Sequence, residues 1–139
     1  MRWLALVLLL AVGGCSADIA PLSDQIDMQA RWNAENVYPD NYKADLLAFM
    51  RTYLNNPSQV RDAQVSPPQI KRVGPGNRYV VCVRYNARNH DGRYMGDKDS
   101  AVTYVLGKLD QIIDQPKMAA ELCKDAAYRP FPELGTLTR

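Results

Sequence analysis

Hydrophobic positions divide the chain into one unbroken apolar run, two helical stripes and several alternating segments. Residues 3–12 (WLALVLLLAV) are uniformly apolar and lead into Gly13-Gly14-Cys15. Residues 16–35 are polar with little periodicity. They read as a tether, in which Leu22, Ile26 and Trp32 are the positions able to form a helical turn or to dock on a domain. Pro39 sets a boundary, and Asp40 or Asn41 suits a helix N-cap. Over residues 41–54 the apolar side chains Tyr42, Leu46, Leu47, Phe49, Met50, Tyr53 and Leu54 recur at i, i+4, i+7, i+8 spacing, with Lys43, Asp45, Arg51 and Thr52 mostly outside. This predicts an amphipathic helix, ended by Asn55-Asn56-Pro57 because proline cannot continue it.

A loop is expected next, then strands. Ser66-Pro67-Pro68 is extended, and residues 69–73 fit a sheet edge, where proline does little harm. Gly74-Pro75-Gly76-Asn77 is a turn cluster. Residues 78–88 (RYVVCVRYNAR) are β-branched and aromatic, which predicts a central strand with Tyr79, Val81, Val83 and Tyr85 on the helix-facing side. Asp91-Gly92 suits a two-residue type I′ turn. With that turn, Cys82 falls opposite Ala101 and Val81 opposite Val102. After the polar Asp97-Lys98-Asp99, residues 101–106 form another strand. Gly107-Lys108 is read as a II′ turn that returns residues 109–113 with Ile113 opposite Val102. Pro116 suits the first turn of a helix over residues 117–127, and residues 128–139 are extended, pinned by Phe131 and Leu134. The expected fold class is α+β: an N-terminal amphipathic helix packed on a small antiparallel β-meander of three to four strands, a short C-terminal helix and one disulfide.

The apolar run changes the picture of the N-terminus. Met1-Arg2 is a short positive start, and ten apolar residues match a signal-peptide core while falling short of a membrane span. Small residues before a cysteine fit a signal peptidase groove, and the thiol of Cys15 can accept a diacylglyceryl group. The alternative is an ordinary secretory signal with an incidental cysteine. The domain reading is therefore a signal peptide over 1–14, a lipidated Cys15 and tether over 15–38, and a single periplasmic domain over 39–139. Two or three acyl chains would hold such a protein at a membrane essentially permanently, where one holds marginally.

Cysteine number agrees with export. If Cys15 carries lipid, Cys82 and Cys123 remain, and an oxidising periplasm makes a Cys82–Cys123 disulfide the default; the alternative is two separate buried thiols. Charge excludes more than it suggests. Seventeen Lys and Arg against fifteen Asp and Glu give a net charge of +2, far below that of a nucleic-acid binder. His90, the sole histidine, sits beside the expected turn. The carboxylate pairs Asp97/Asp99 and Asp110/Asp114 read as surface, and Gly74-Pro75-Gly76 has no following Gly-Lys-Ser/Thr. No catalytic constellation, metal site, cofactor or small-molecule ligand is expected.

One stretch stands out. Lys71, Arg72, Arg78, Arg84, Arg88, Arg93 and Lys98 fall within 28 positions, opposed only by Asp91 and Asp97 and interleaved with Tyr79, Tyr85 and Tyr94. Such a basic, aromatic hairpin suits an anionic partner, and Arg84, Arg88, Arg93 and Tyr85 are the candidate contact residues. The alternative is a solvated face whose charges keep a strongly β-forming strand soluble.

The segments Val12-Gly13-Gly14-Cys15, Tyr42-Lys43-Ala44-Asp45-Leu46-Leu47, Tyr79-Val80-Val81-Cys82-Val83-Arg84 and Tyr128-Arg129-Pro130-Phe131-Pro132 resemble small lipoproteins of unknown function from Gram-negative bacteria. The first is similar to a lipobox. Val12 stands where Leu is usual, and Gly13 where Ala or Ser is commoner. Ser16 in place of an Asp after the cysteine implies the outer membrane, with a periplasm-facing anchor and surface exposure left open. The order of elements is also similar to the small helix-then-meander lipoprotein of the outer-membrane β-barrel assembly machinery. These resemblances imply a non-enzymatic structural or protein-interaction role with an envelope protein partner. The alternative is a small periplasmic binding or inhibitor module recognising an anionic partner.

Overall fold

The computed structural model describes residues 21–138, so the signal-peptide reading of residues 1–14, the lipidation reading of Cys15 and the first residues of the tether lie outside the described residues. The elements are α1 (Leu22–Ala34), α2 (Tyr42–Tyr53), β1 (Asn56–Val65), β2 (Gln69–Val73), β3 (Gly76–Arg88), β4 (Lys98–Val105), β5 (Lys108–Ile113), α3 (Pro116–Cys123), β6 (Arg129–Pro130) and α4 (Pro132–Gly135). The fold is α+β, with an antiparallel sheet of six strands rather than three to four. Its order is β5-β4-β3-β1-β6, and β2 pairs with the first part of β3.

Strand β3 organises both cores because its alternate side chains point to opposite faces. Val81, Val83 and Tyr85 join Leu46 and Met50 of α2, Val102 and Tyr104 of β4, and Phe131 and Leu134 near the C-terminus. Val80 and Cys82 point the other way and meet Ala101, Ile113 and Cys123. The expected inward set of β3 is thus on the α2 side. Tyr104 is fully buried and its hydroxyl donates to the Tyr42 backbone oxygen at 3.0 Å, which anchors the start of α2.

Strand β1 occupies a segment expected to be loop. Its buried residues Pro57, Val60 and Val65 do not alternate, because the ladder to β3 slips between Asn56 and Arg61 and again between Arg61 and Gln64. Gln59 and Asp62 have positive φ at these irregularities. Bulges of this kind move a strand's apolar residues off a period of two.

Two turns also differ from expectation. Val105 pairs with Lys108, so the β4–β5 turn is Leu106-Gly107, both with positive φ, and not Gly107-Lys108. With one further slip after Thr103, Val102 meets Ile112 and Ala101 meets Ile113. At the β3–β4 tip Gly92 has positive φ and Asp91 does not, so the two-residue type I′ turn is absent. The Gly92 N–H donates to the Asn89 oxygen and the Asn89 N–H to the Arg93 oxygen, which makes a three-residue tip. This shifts the register by one at Arg88–Tyr94, and an irregular stretch through Gly96 shifts it back. Cys82 therefore still faces Ala101, and Val81 faces Val102.

The polar segment before residue 35 is helical over Leu22–Ala34, and α3 stops at Cys123, short of residue 127. No helix among the described residues is long and apolar enough to cross a membrane.

Candidate functional site

The disulfide joins Cys82 of β3 to Cys123 at the end of α3, with Cα atoms 5.7 Å apart and both residues buried. It holds α3 on one face of the sheet, beside the residues expected to form a basic surface.

Those residues do not share a surface. Tyr85 is 3% exposed in the α2-side core, where burial raises its pKa, so it is not available to a partner. Arg84 points to the opposite face and grips its cross-strand neighbour Asp99, with Nε to Oδ1 at 2.6 Å and Nη2 to Oδ2 at 2.9 Å. Its guanidinium lies 4.5 Å over the Tyr128 ring, and the Tyr128 hydroxyl donates to Asp99 at 3.3 Å. Arg88 donates to Ser58 Oγ at 2.9 Å, bracing β3 against β1. Arg93 is the most exposed of the four, at 79%, and lies 3.8 Å from Asp91.

Three of the remaining four cations are also paired, and the fourth, Arg72, is exposed on β2. Lys98 lies 3.2 Å from Asp114, which also accepts the Tyr53 hydroxyl at 2.6 Å. Lys71 lies 3.9 Å from Asp125, and Arg78 lies 2.6 Å from Glu35. Much of the local positive charge is thus paired with carboxylates just after α1, on β4, just after β5 and in the loop after α3. Two of the carboxylates singled out in the sequence, Asp99 and Asp114, are structural acceptors. His90 is 80% exposed at the hairpin tip, 3.3 Å from Asp91. No group of His, Cys, Asp and Glu among the described residues is arranged to hold a metal ion.

Hydrogen bonding to Arg84, more than the attraction of its charge, holds the Asp99 carboxyl below the usual carboxylate range. Burial, and then the Asp99 charge, pushes Tyr128 up to about 12. A carboxyl with a lowered folded-state pKa contributes stability above its unfolded pKa of about 3.9, and that contribution is lost as pH falls further. Arg84→Gln is therefore expected to destabilise the protein modestly at pH 7, because the pair is partly exposed. Its stability should also fall less steeply than that of the parent as pH drops below about 5. Urea titrations across pH check this. Parallel curves would show that the pair is energetically idle.

The best-built polar arrangement lies where the chain enters the domain. Trp32, at the end of α1, lies flat over Gly76, so that a Cβ there would meet Trp32 Cδ1 at 2.4 Å. Trp32 Nε1 donates to the Asn77 oxygen at 2.6 Å, and Asn36 Nδ2 donates to the same oxygen at 3.0 Å. Arg78, only 5% exposed, is stacked 3.6 Å from the Trp32 ring and donates to the Trp32 oxygen and to Glu35 Oε2, each at 2.6 Å. The Leu106 N–H donates to the Glu35 oxygen at 2.8 Å, and the Tyr38 ring meets Tyr79 edge-on at 5.4 Å. Residues 32–38 therefore clasp one end of the sheet, passing the Leu106-Gly107 turn.

Glu35, Asn36, Gly76 and Arg78 were not marked by sequence reasoning as partners of Trp32. The available signal was a lone tryptophan in a polar segment and a second glycine in the turn cluster. The chain matches no family model, no curated protein and no solved structure.

Proposed function

We propose that this protein is an envelope lipoprotein, exported by residues 1–14 and anchored through lipid on Cys15. Its domain would have a non-enzymatic structural or protein-interaction role. The observation that carries the reading is the disulfide. Of the chain's three cysteines, Cys82 and Cys123 bond to each other, which leaves Cys15 at the end of the apolar run. A disulfide also fits an oxidising compartment. Ser16 favours the outer membrane within this reading.

The clasp supports a holding role. The chain enters the domain at the Gly76 end of β3, while the hairpin tip lies at the other end. Thirteen strand residues separate them by about 40 Å. A domain held near a membrane by its clasped end would present Arg93, His90 and Met95 away from the anchor. These exposed residues also support the second reading, recognition of an anionic partner by the hairpin, now centred on Arg93 rather than on Arg84, Arg88 and Tyr85.

Cys15→Ser is the test of the anchor. The variant is expected to lose palmitate labelling and to leave the membrane fraction. A variant that still labels and still sediments with membranes after a high-salt wash would overturn the proposal.

A further inference from the structure

Helix α1 is not self-supporting. Its 13 residues bury no side chain, and Pro21 at its N-cap supplies no side-chain hydrogen bond. An isolated helix of this length is marginal in water, and Ser, Asp and Asn weaken it further. Its C-terminal end is held by Trp32 in the clasp.

The charges of α1 lie off one apolar ridge. At about 100° per residue, Leu22, Ile26 and Ala30 form one ridge, flanked by the uncharged Ser23, Gln25, Gln29 and Asn33. Asp24, Asp27 and Arg31 lie on the other side, together with Met28, which is 51% exposed. Trp32 points roughly 120° away from the ridge, so docking Trp32 on the sheet leaves the ridge outward. Leu22 is 72% exposed and Ile26 59% exposed.

Chain length identifies the occupant. Cys15 precedes Leu22 by seven residues, which span at most about 25 Å. We infer that the Leu22–Ile26–Ala30 ridge lies on the lipid surface to which Cys15 is anchored, so that α1 rests in the interface while the clasp fixes the domain above it. This inference rests on the anchor proposed above. The charges of α1 sum to −1 and face away from the ridge, so the contact is apolar and needs no anionic lipid.

The test uses full-length protein purified from membranes and reconstituted in phosphatidylcholine vesicles, with or without bromine on the acyl chains. Ile26→Trp places an indole on the ridge, and Asp27→Trp places one on the charged side. Brominated chains are expected to quench the added emission of Ile26→Trp and to spare that of Asp27→Trp, equally at low and high salt. The mass of the N-terminal peptide reports separately whether Cys15 carries acyl chains. Acylated protein with an unquenched Ile26→Trp would overturn the inference while leaving the anchor intact, and would point to a protein as the occupant of the ridge. Quenching that vanishes with salt, or that is equal at both positions, would also overturn it. An unacylated Cys15 would overturn the anchor and this inference together.

Discussion

Replacing Cys82 and Cys123 together by serine is expected to lower the melting temperature by roughly 15 °C. The sequence separation is 41 residues, and the chain-entropy relation gives about 4 kcal/mol for a loop of that size. In a domain of this size each kcal/mol shifts the melting temperature by about 4 °C. The enthalpic side acts in the same direction. Helix α3 is eight residues long, has no side-chain N-cap bond, and buries only Ala119 and Cys123. Without the bond it keeps little hold on Val80, Ala101 and Ile113. Calorimetry of the parent and the double variant decides the matter. A drop of only a few degrees would mean that α3 is held by packing alone. Both cysteines are buried, so reductant is expected to act on the native protein slowly, at the rate of opening.

Gly76→Ala is expected to open the clasp and to cost about 2–3 kcal/mol. The new Cβ would lie 2.4 Å from Cδ1, 2.9 Å from Nε1 and 3.0 Å from Cγ of Trp32. These are atoms of a rigid ring, so the whole indole must leave. With it go the bond to the Asn77 oxygen and the stack on Arg78, both absent once the ring moves. Trp32 is the only tryptophan among the described residues, and a variant with Trp3 replaced by Phe makes its emission report the event directly. A red shift and faster amide exchange at residues 32–36 are expected. Asn33→Ala, an exposed change on the same helix, should do neither. An emission maximum unchanged by Gly76→Ala would show that the ring does not sit over Gly76.

Local pattern made some elements legible and hid others. The α2 stripe and the β3 alternation were readable because each obeys one period throughout. Strand β1 was hidden because its bulges at Gln59 and Asp62 break the period of two. The register of β3 on β4 was reached through a turn that does not form, and two opposite one-residue offsets cancel. That same register already placed Arg84 opposite Asp99, so the main ion pair of the supposed basic surface was within reach of the sequence. Counting charge along 28 consecutive positions concealed it, because Glu35, Asp99, Asp114 and Asp125 all lie outside that window. The partners of Trp32 were hidden for a similar reason. Gly76, Asn77 and Arg78 are more than forty residues away, and no local periodicity reports such a contact.

The strand order also governs when the protein can fold. Strand β1 lies between β3 and β6, and the Phe131 N–H donates back to the Ala63 oxygen. Phe131 and Leu134, both fully buried, come from the last part of the described chain yet fill the centre of the α2-side core. A nascent chain that has delivered only the residues through α3 holds an unfilled core and an open edge on β1. Such long-range closure is slow and leaves a partly made chain unfolded until its end arrives. In the exported protein proposed above, such a delay would suit passage across a membrane before folding, since the core cannot close until Phe131 and Leu134 arrive.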